Sequence, residues 1–402
     1  MKHLPQGWKI EKLGDLGKVL TGKTPSKAIP EFWDSQDIPF YKPDDFSKND
    51  ITDLYDGKDY ISNTAFVKAV KVPPNTVLTT CIGIIGKVAI TKKECSFNQQ
   101  INAVIPDERI SYKFLAYSII RLKGILQQQA NAAVVPMINK SEFSKTPITF
   151  PPIPQQEKIV SVLDTASALV EKQKALLKKY DLFLKSKFIE MFGDPILNPM
   201  GWEVVKFGNL ISFLTDYHAN GSYEILKKNV ELLDKRDYAL MVRTTDLEHN
   251  DFENGVKYIS EHAYNYLTKS KVYGNEIIMN KIGSAGSVYL MPKLNRAVSL
   301  GMNLFLIRLE DTANPTFMYW ILTSEYGKQN IEKKVRGAVT KSITKDAVRD
   351  IDLMYPPVEL QNQFAQIVEQ TETLKQKEQL KLEKLQTLYD ALMKQAFDGE
   401  IQ

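Results

Sequence analysis

Cysteine and histidine are scarce in this chain of 402 residues, which holds two cysteines, Cys81 and Cys95, and four histidines, His3, His218, His249 and His262. Two cysteines exclude a disulfide framework, and the scattered histidines show no zinc-ligand spacing, so neither a structural nor a catalytic metal is expected. No apolar run approaches the ~20 residues that a bilayer-spanning helix needs. The opening residues MKHLPQGWKI contain no apolar core of a secretory leader, so a cytoplasmic protein without membrane association is expected. Catalytic motifs are missing as well. No Asn/Asp-Pro-Pro-aromatic or Pro-Cys segment of a base-modifying enzyme occurs, Asn198-Pro199-Met200 being neither, and no Ser-His-Asp or paired-carboxylate set stands out. Catalysis is therefore not expected of this chain.

What is present is an ordinary globular composition, 43% hydrophobic and 25% charged, long enough for two or three domains. The net charge of +4 is mildly basic, which is compatible with a polyanionic partner. The stretch Gly17-Lys18-Val19-Leu20-Thr21-Gly22-Lys23-Thr24 matches G-x-x-x-x-G-K-[ST], a nucleotide-cradling loop, letter for letter. Such a loop must open a helix, because the helix N-terminus holds the phosphates. Here Pro25 follows Thr24 at once and Pro30 falls where the second turn belongs, so no ATPase is expected.

The chain is two copies of one unit. Gly7-Trp8 and Leu13-Gly14-Asp15-Leu16 match Gly201-Trp202 and Phe207-Gly208-Asn209-Leu210 at an offset of 194. The segments Ile82–Val88 and Ile282–Val288 match at 200, and Pro151-Pro152-Ile153 matches Pro356-Pro357-Val358 at 205, an offset kept to Phe192 and Phe397. A period this long means a duplicated domain pair rather than a solenoid. Each copy begins with β-branched and aromatic runs between Gly, Asn and Pro, reading as a β-rich α/β globule of α+β type. It ends in a long amphipathic helix. Ile159, Val162, Leu163, Ala166, Leu169, Val170, Leu176, Leu177, Tyr180, Phe183, Leu184 and Phe188 recur at spacings of three and four, and Phe364 to Ala396 repeat the pattern. The expected plan is a globule over residues 1–150, a helix over 151–196, a second globule over 197–355 and a second helix over 356–402. The two helices are expected to pair as an antiparallel coiled coil about a pseudo-two-fold axis.

Three pairs of matched segments carry chemistry suited to DNA. Ile38–Phe46 and Ala239–Leu247 each end an apolar strand in a cation, Lys42 or Arg243, followed by Asp45 or by Thr245 and Asp246. A cation there can grip phosphate or guanine, and the aspartate either accepts from cytosine or holds the cation in place. The glycine turns Gly83–Lys87 and Gly283–Ser287 permit close backbone approach to a phosphate chain, with hairpin turns as the other reading. The loops running to Lys140 and from Arg336 to Lys341 gather small, polar and basic residues. Lys23, Thr24, Lys87 and Tyr217 complete the candidate set of DNA contacts.

Leu4-Pro5-x-Gly7-Trp8, Gly22-x-Thr24-Pro25-Ser26, Phe32-Trp33, Ile38-Pro39-Phe40, Gly83 to Gly86 and Pro151-Pro152-Ile153-Pro154-Gln155-Gln156-Glu157 before a long helix together resemble the specificity subunit of Type I restriction-modification systems. The second copy resembles it through Arg243 to Asp246 and Pro356-Pro357 with Gln361. The resemblance covers essentially the whole chain. It implies two target-recognition domains that each read half of a bipartite site on double-stranded DNA, held apart by the helices. It further implies docking of two methyltransferase subunits that carry S-adenosylmethionine, and of restriction subunits that use ATP and Mg; this chain would hold no cofactor. Copy two departs from the pattern, carrying Asp216-Tyr217-His218-Ala219-Asn220-Gly221 in place of Gly-x-Thr-Pro-Ser. A second reading, a coiled-coil scaffold whose globules bind proteins instead of DNA, also fits the plan.

Overall fold

The computed structural model describes residues 6–47, 51–130 and 135–401. Leu4 and Pro5 of the first motif, and residues 131–134 of the loop before Lys140, lie outside the described residues. The chain divides into two compact units, residues 1–176 with 378–402 and residues 177–377. Each unit contains one globule and a portion of each of two long helices, Ile153–Phe192 and Val358–Asp398. At 40 and 41 residues, each helix extends about 60 Å at 1.5 Å per residue. Gly193 and Gly399 follow them with φ of 76° and 80°, the left-handed geometry that ends a helix.

In the first unit the central sheet runs Gly17–Thr21, Ile101–Pro106, Val77–Thr80, Val88–Thr91, Thr52–Leu54, antiparallel except for the last, parallel pair. Its strands are apolar on both faces because both are covered. Val77, Val88, Ile90 and Val104 face the helix Tyr112–Arg121 through Phe114 and Leu115. Leu78, Ala89 and Ala103 face the other way, onto Tyr41 and Phe97 of a small sheet ordered Asp59–Ile61, Ile38–Tyr41, Ser96–Phe97. The second unit repeats the plan. Its central sheet runs Ile211–Asp216, Leu304–Leu309, Ile277–Asn280, Val288–Leu290, with Ile277, Met279, Phe305 and Ile307 toward the helices. Ile278, Leu304 and Leu306 face the sheet Lys257–Ile259, Ala239–Val242, Ala297–Leu300, Lys271–Val272.

The seam expected along the helices is buried in parts. Ile159, Leu163, Ala166 and Val170 join the first unit's core together with Tyr389, Met393, Ala396 and Phe397. Leu184, Phe188 and Phe192 do the same in the second unit with Phe364 and Val368. In both units the two helix portions run in opposite directions: Gln155 and Gln173 meet Ile401 and Glu378, and Asp181 and Phe188 meet Lys375 and Phe364. Leu169 and Phe183 are 46% and 43% exposed, because the globule covers only the face turned toward it.

The matched Pro-Pro-x-x-x-Gln segments explain how helix and globule are joined. Gln156 is fully buried; its Oε1 accepts from Ser111 N at 2.8 Å, and its Nε2 donates to Pro151 O at 2.8 Å and Arg109 O at 2.9 Å. Gln361, equally buried, accepts from Asn314 N at 2.9 Å and donates to Pro356 O at 2.7 Å. Each glutamine satisfies backbone groups freed where a strand ends and a helix starts.

Candidate DNA-reading surface

The nucleotide-loop match has another use. Gly17–Thr21 is a strand, and after it the chain stays irregular until the three-residue turn Pro30–Phe32, so Gly22-Lys23-Thr24 does not open a helix. Lys23 N donates to Phe97 O at 3.0 Å, and a Cβ on Gly22 would collide with the carbonyl oxygens of Phe97 and Asn98. The glycine is needed because two backbones pass in contact. Thr24 Oγ1 donates to Gln99 Oε1 at 2.5 Å, and the Lys23 side chain is exposed.

The strand-end segments form small caps. Asp45 Oδ2 accepts from Lys42 N and Asp246 Oδ2 from Arg243 N, both at 2.8 Å. Lys42 pairs with Asp59 at 2.6 Å. Asp246, only 4% exposed, also takes the Arg243 guanidinium at 2.7 Å, and Gly255 O accepts from the same group at 2.7 Å. The Asp246 hydrogen bond holds the Arg243 pKa above its ordinary value. Of the two roles open to these aspartates, the geometry gives Asp246 the holding of its cation, whereas Asp45 caps backbone N–H groups and Asp59 takes the Lys42 ammonium. Thr245 beside them is exposed.

The glycine turns and the loops before the final strand come together in each unit. Gly83 N donates to Pro136 O at 2.9 Å and Ile138 N to Cys81 O at 2.9 Å. In the second unit, Gly283 N donates to Lys341 O and Ile343 N to Lys281 O, both at 3.0 Å. The strand-end caps are tied to the same place. Lys87, 7% exposed, donates its ammonium to Pro43 O at 3.0 Å and Phe46 O at 3.1 Å. In the second unit Thr244 Oγ1 reaches Asn280 Oδ1 at 3.1 Å. Thus the three segments singled out in each copy converge on one face of its globule. Lys23 and Lys140 stand exposed in the first unit, and Arg336 and Lys341 in the second. A Cβ on Gly337, whose φ is 101°, would collide with Thr340 O, so the Arg336–Ser342 hairpin requires this glycine.

Three expected contacts work inside the fold instead. Lys87 binds carbonyls, Asp246 caps, and Tyr217, 7% exposed with burial raising its pKa, packs against Leu226 and Met241. Tyr217 also walls a recess of about 410 Å³ shared with Tyr223, Leu232, Met241, Arg243 and Met302. Next to it, burial of Asp216 opposes its ionisation, but Lys281 at 2.9 Å and Lys345 at 3.7 Å hold its pKa below the ordinary value. Gln156 and Gln361 were visible in the repeat register and carry structure. Gln99 and Met302, which project from equivalent turns, gave no signal because they differ. Among the described residues no group of His, Cys, Asp and Glu is placed to hold a metal, and no helix is long and apolar enough to cross a membrane.

Comparison with known proteins agrees with this architecture. The family model for the Type I restriction modification DNA specificity domain matches twice, over residues 5–179 and 199–385. A Haemophilus influenzae protein, the Type I restriction enzyme HindI specificity subunit, is 33% identical over 189 residues, 45% of this chain and 41% of that one. The MjaIX specificity subunit of Methanocaldococcus jannaschii is 29% identical over 274 residues, 62% of each chain. The chain thus matches less than two thirds of the length of either relative. The crystal structure of a Type-I restriction-modification system S subunit from M. genitalium shares the fold, with a TM-score of 0.57, 13% identity and coverage of 99% of this chain and 97% of that one.

Proposed function

The chain belongs to the Type I restriction modification DNA specificity family, and from that premise we propose that it is the sequence-reading subunit of a restriction-modification complex. Each globule reads one half of a bipartite site on double-stranded DNA. The observation that carries this reading is the duplicated face: in both units the glycine turn and the basic loop are joined by the same pair of backbone hydrogen bonds, and the strand-end cap is tied beside them by different side chains, Lys87 in the first and Thr244 in the second. Exposed Lys23, Lys140, Arg336 and Lys341 hold phosphates and set the register, while side chains that differ between the copies read bases. Because those side chains differ, the two half-sites differ, and the site is not a palindrome.

The exposed faces of the helices, which carry Leu169, Leu182, Phe183 and Leu388, dock two methyltransferase subunits. Those subunits bring S-adenosylmethionine and extrude the target adenine. Restriction subunits bring ATP and Mg. This chain supplies the address and no catalytic group, and it acts in the cytoplasm. The helices act as the spacer, since half-sites one DNA turn apart lie roughly 34 Å from each other, well within a ~60 Å helix. The protein-binding scaffold finds no support in the family match.

Methylome sequencing of the host with and without this gene tests the reading. Loss of one asymmetric bipartite adenine motif is expected. Unchanged methylation in a host whose partner methyltransferase is expressed and active would refute it.

A further inference from the structure

We infer that one short turn in each globule carries its base-reading side chain: Gln99, which reads an adenine, and Met302, which reads the C5-methyl of a thymine. The inference rests on the DNA-reading function proposed above and deepens it. The turns, residues 98–100 and 301–303, occupy the same place in the two copies, just before the strands Ile101–Pro106 and Leu304–Leu309. Their backbones are hung from the same two hooks. Asn98 N donates to Tyr41 O at 3.1 Å and Gly301 N to Val242 O at 2.8 Å, each at the end of the strand that leads into the cap. On the other side, Cys81 N donates to Gln100 O and Lys281 N to Asn303 O, both at 2.8 Å, at the start of the glycine turn. The turn is therefore clamped between the two segments that define the face. The frame is common to both copies and the tip is not, which is what one fold requires to read two different sequences.

The tips differ in chemistry. Gln99 is exposed, and the Thr24 hydroxyl fixes the plane of its amide by donating to Oε1 at 2.5 Å. Its neighbours Asn98 and Gln100 are paired with each other at 2.8 Å. Gln99 keeps a second lone pair on Oε1 and two hydrogens on Nε2, the acceptor and donor that adenine N6–H and N7 demand in the major groove. Thr24 is thus a positioning residue for the reading amide. Met302 is 47% exposed and has no amide to offer; with Tyr217, Tyr223, Leu232 and Met241 it lines the recess of about 410 Å³. An apolar tip beside an apolar recess discriminates by contact with the one apolar group on the major-groove edge, the thymine methyl. Lys23 stands next to the first turn, and Lys227 and Arg243 rim the second recess, where cations meet the adjoining phosphates.

The test uses the full chain with its co-expressed methyltransferase, after methylome sequencing has given the wild-type motif. Duplexes altered one base pair at a time are titrated against wild type, Gln99→Ala, Gln99→Arg and Met302→Ala. Gln99→Ala should lose a preference of roughly tenfold for A·T at a single position of one half-site and leave the other half-site untouched. Gln99→Arg should shift that position toward G·C. Replacing thymine by uracil at the reading position of the other half-site should weaken wild type by roughly threefold and leave Met302→Ala unaffected. Both side chains project into solvent, and unchanged thermal melting of the variants checks that they fold. Equal weakening of all duplexes, or full retention of the wild-type preferences, would overturn the inference. If wild type has a bipartite motif and the variants keep it, only the inference falls. If wild type prefers no bipartite site, the proposed function falls with it.

Discussion

Gln361→Leu should uncouple the second long helix from its globule while keeping the side-chain volume. The leucine leaves the half-buried Asn314 N–H and the buried Pro356 C=O, which Gln361 serves at 2.9 and 2.7 Å, without their partner. A buried polar group left unpaired costs about 1–3 kcal/mol, and some of this is recovered by removing the amide itself, so a loss of about 2–4 kcal/mol is expected. That is a large part of the 5–15 kcal/mol by which a typical domain is stable. Gln156→Leu strips three partners, Ser111 N, Arg109 O and Pro151 O, and should cost more, about 3–5 kcal/mol, in the first unit. Hydrogen exchange read peptide by peptide separates the two. In Gln361→Leu, protection should fall around Asn314 and at the start of Val358–Asp398, with the segment around Ser111 unchanged, and Gln156→Leu should show the converse. DNA binding should also suffer more on the bipartite site than on isolated half-sites, because the joint that fixes the spacing has loosened. If Gln361→Leu changes the urea midpoint of the second unit by less than the equivalent of 0.5 kcal/mol, or if the Asn314 amide stays protected, the pin does not hold the joint and the reasoning fails.

Other expectations follow from the same geometry. Arg336→Ala and Lys341→Ala should each weaken binding to all sequences alike and flatten the plot of log K against log salt by about one unit, whereas a base-reading residue would change the preference at one position. Lys87→Met should destabilise the first unit by about 2–3 kcal/mol through loss of two charge-assisted hydrogen bonds to Pro43 and Phe46, and the salt slope of DNA binding should not move. Asp350 lies between Lys206, at 2.8 Å, and Lys334, and their hydrogen bonds lower its pKa from 3.8 to about 2. Because the folded state favours the ionised form, this contribution is present above the ordinary carboxylate range and is lost as pH falls from 4 toward 2. An NMR titration should show the Asp350 midpoint near 2, and the pair Lys206→Ala and Lys334→Ala should return it toward 3.8.

The duplication was legible because periodicity and offset survive without any knowledge of contacts. The β-branched and aromatic runs of each globule became strands such as Ile101–Pro106 and Ile277–Asn280, since buried strands leave β-branched runs in any chain. The helices were legible for the same reason, from threes and fours sustained over many turns. The rejection of an ATP loop at GKVLTGKT also followed from local chemistry, because Pro25 and then Pro30 in the second turn leave no room for the helix the motif needs.

The candidate site was legible only in outline. Lys87, Asp246 and Tyr217 looked like surface contacts because type and spacing do not reveal which way a side chain turns; Lys87 turns onto carbonyls more than 40 residues away, Tyr217 packs on Leu226 and Met241, and Asp246 folds back onto Arg243. Conversely, Gln99 and Met302 sit in matched turns but share no chemistry, so a search for repeated residues passes over them. Local propensity and the repeat thus set the composition of each unit, its strands, its helices and its doubling. The convergence of cap, glycine turn, basic loop and tip on one face depends on hydrogen bonds between segments some 40 to 75 residues apart, such as Lys87 to Pro43 and Thr24 to Gln99. Such pairings form only when the sheets pack, and they leave no period in the chain to be read.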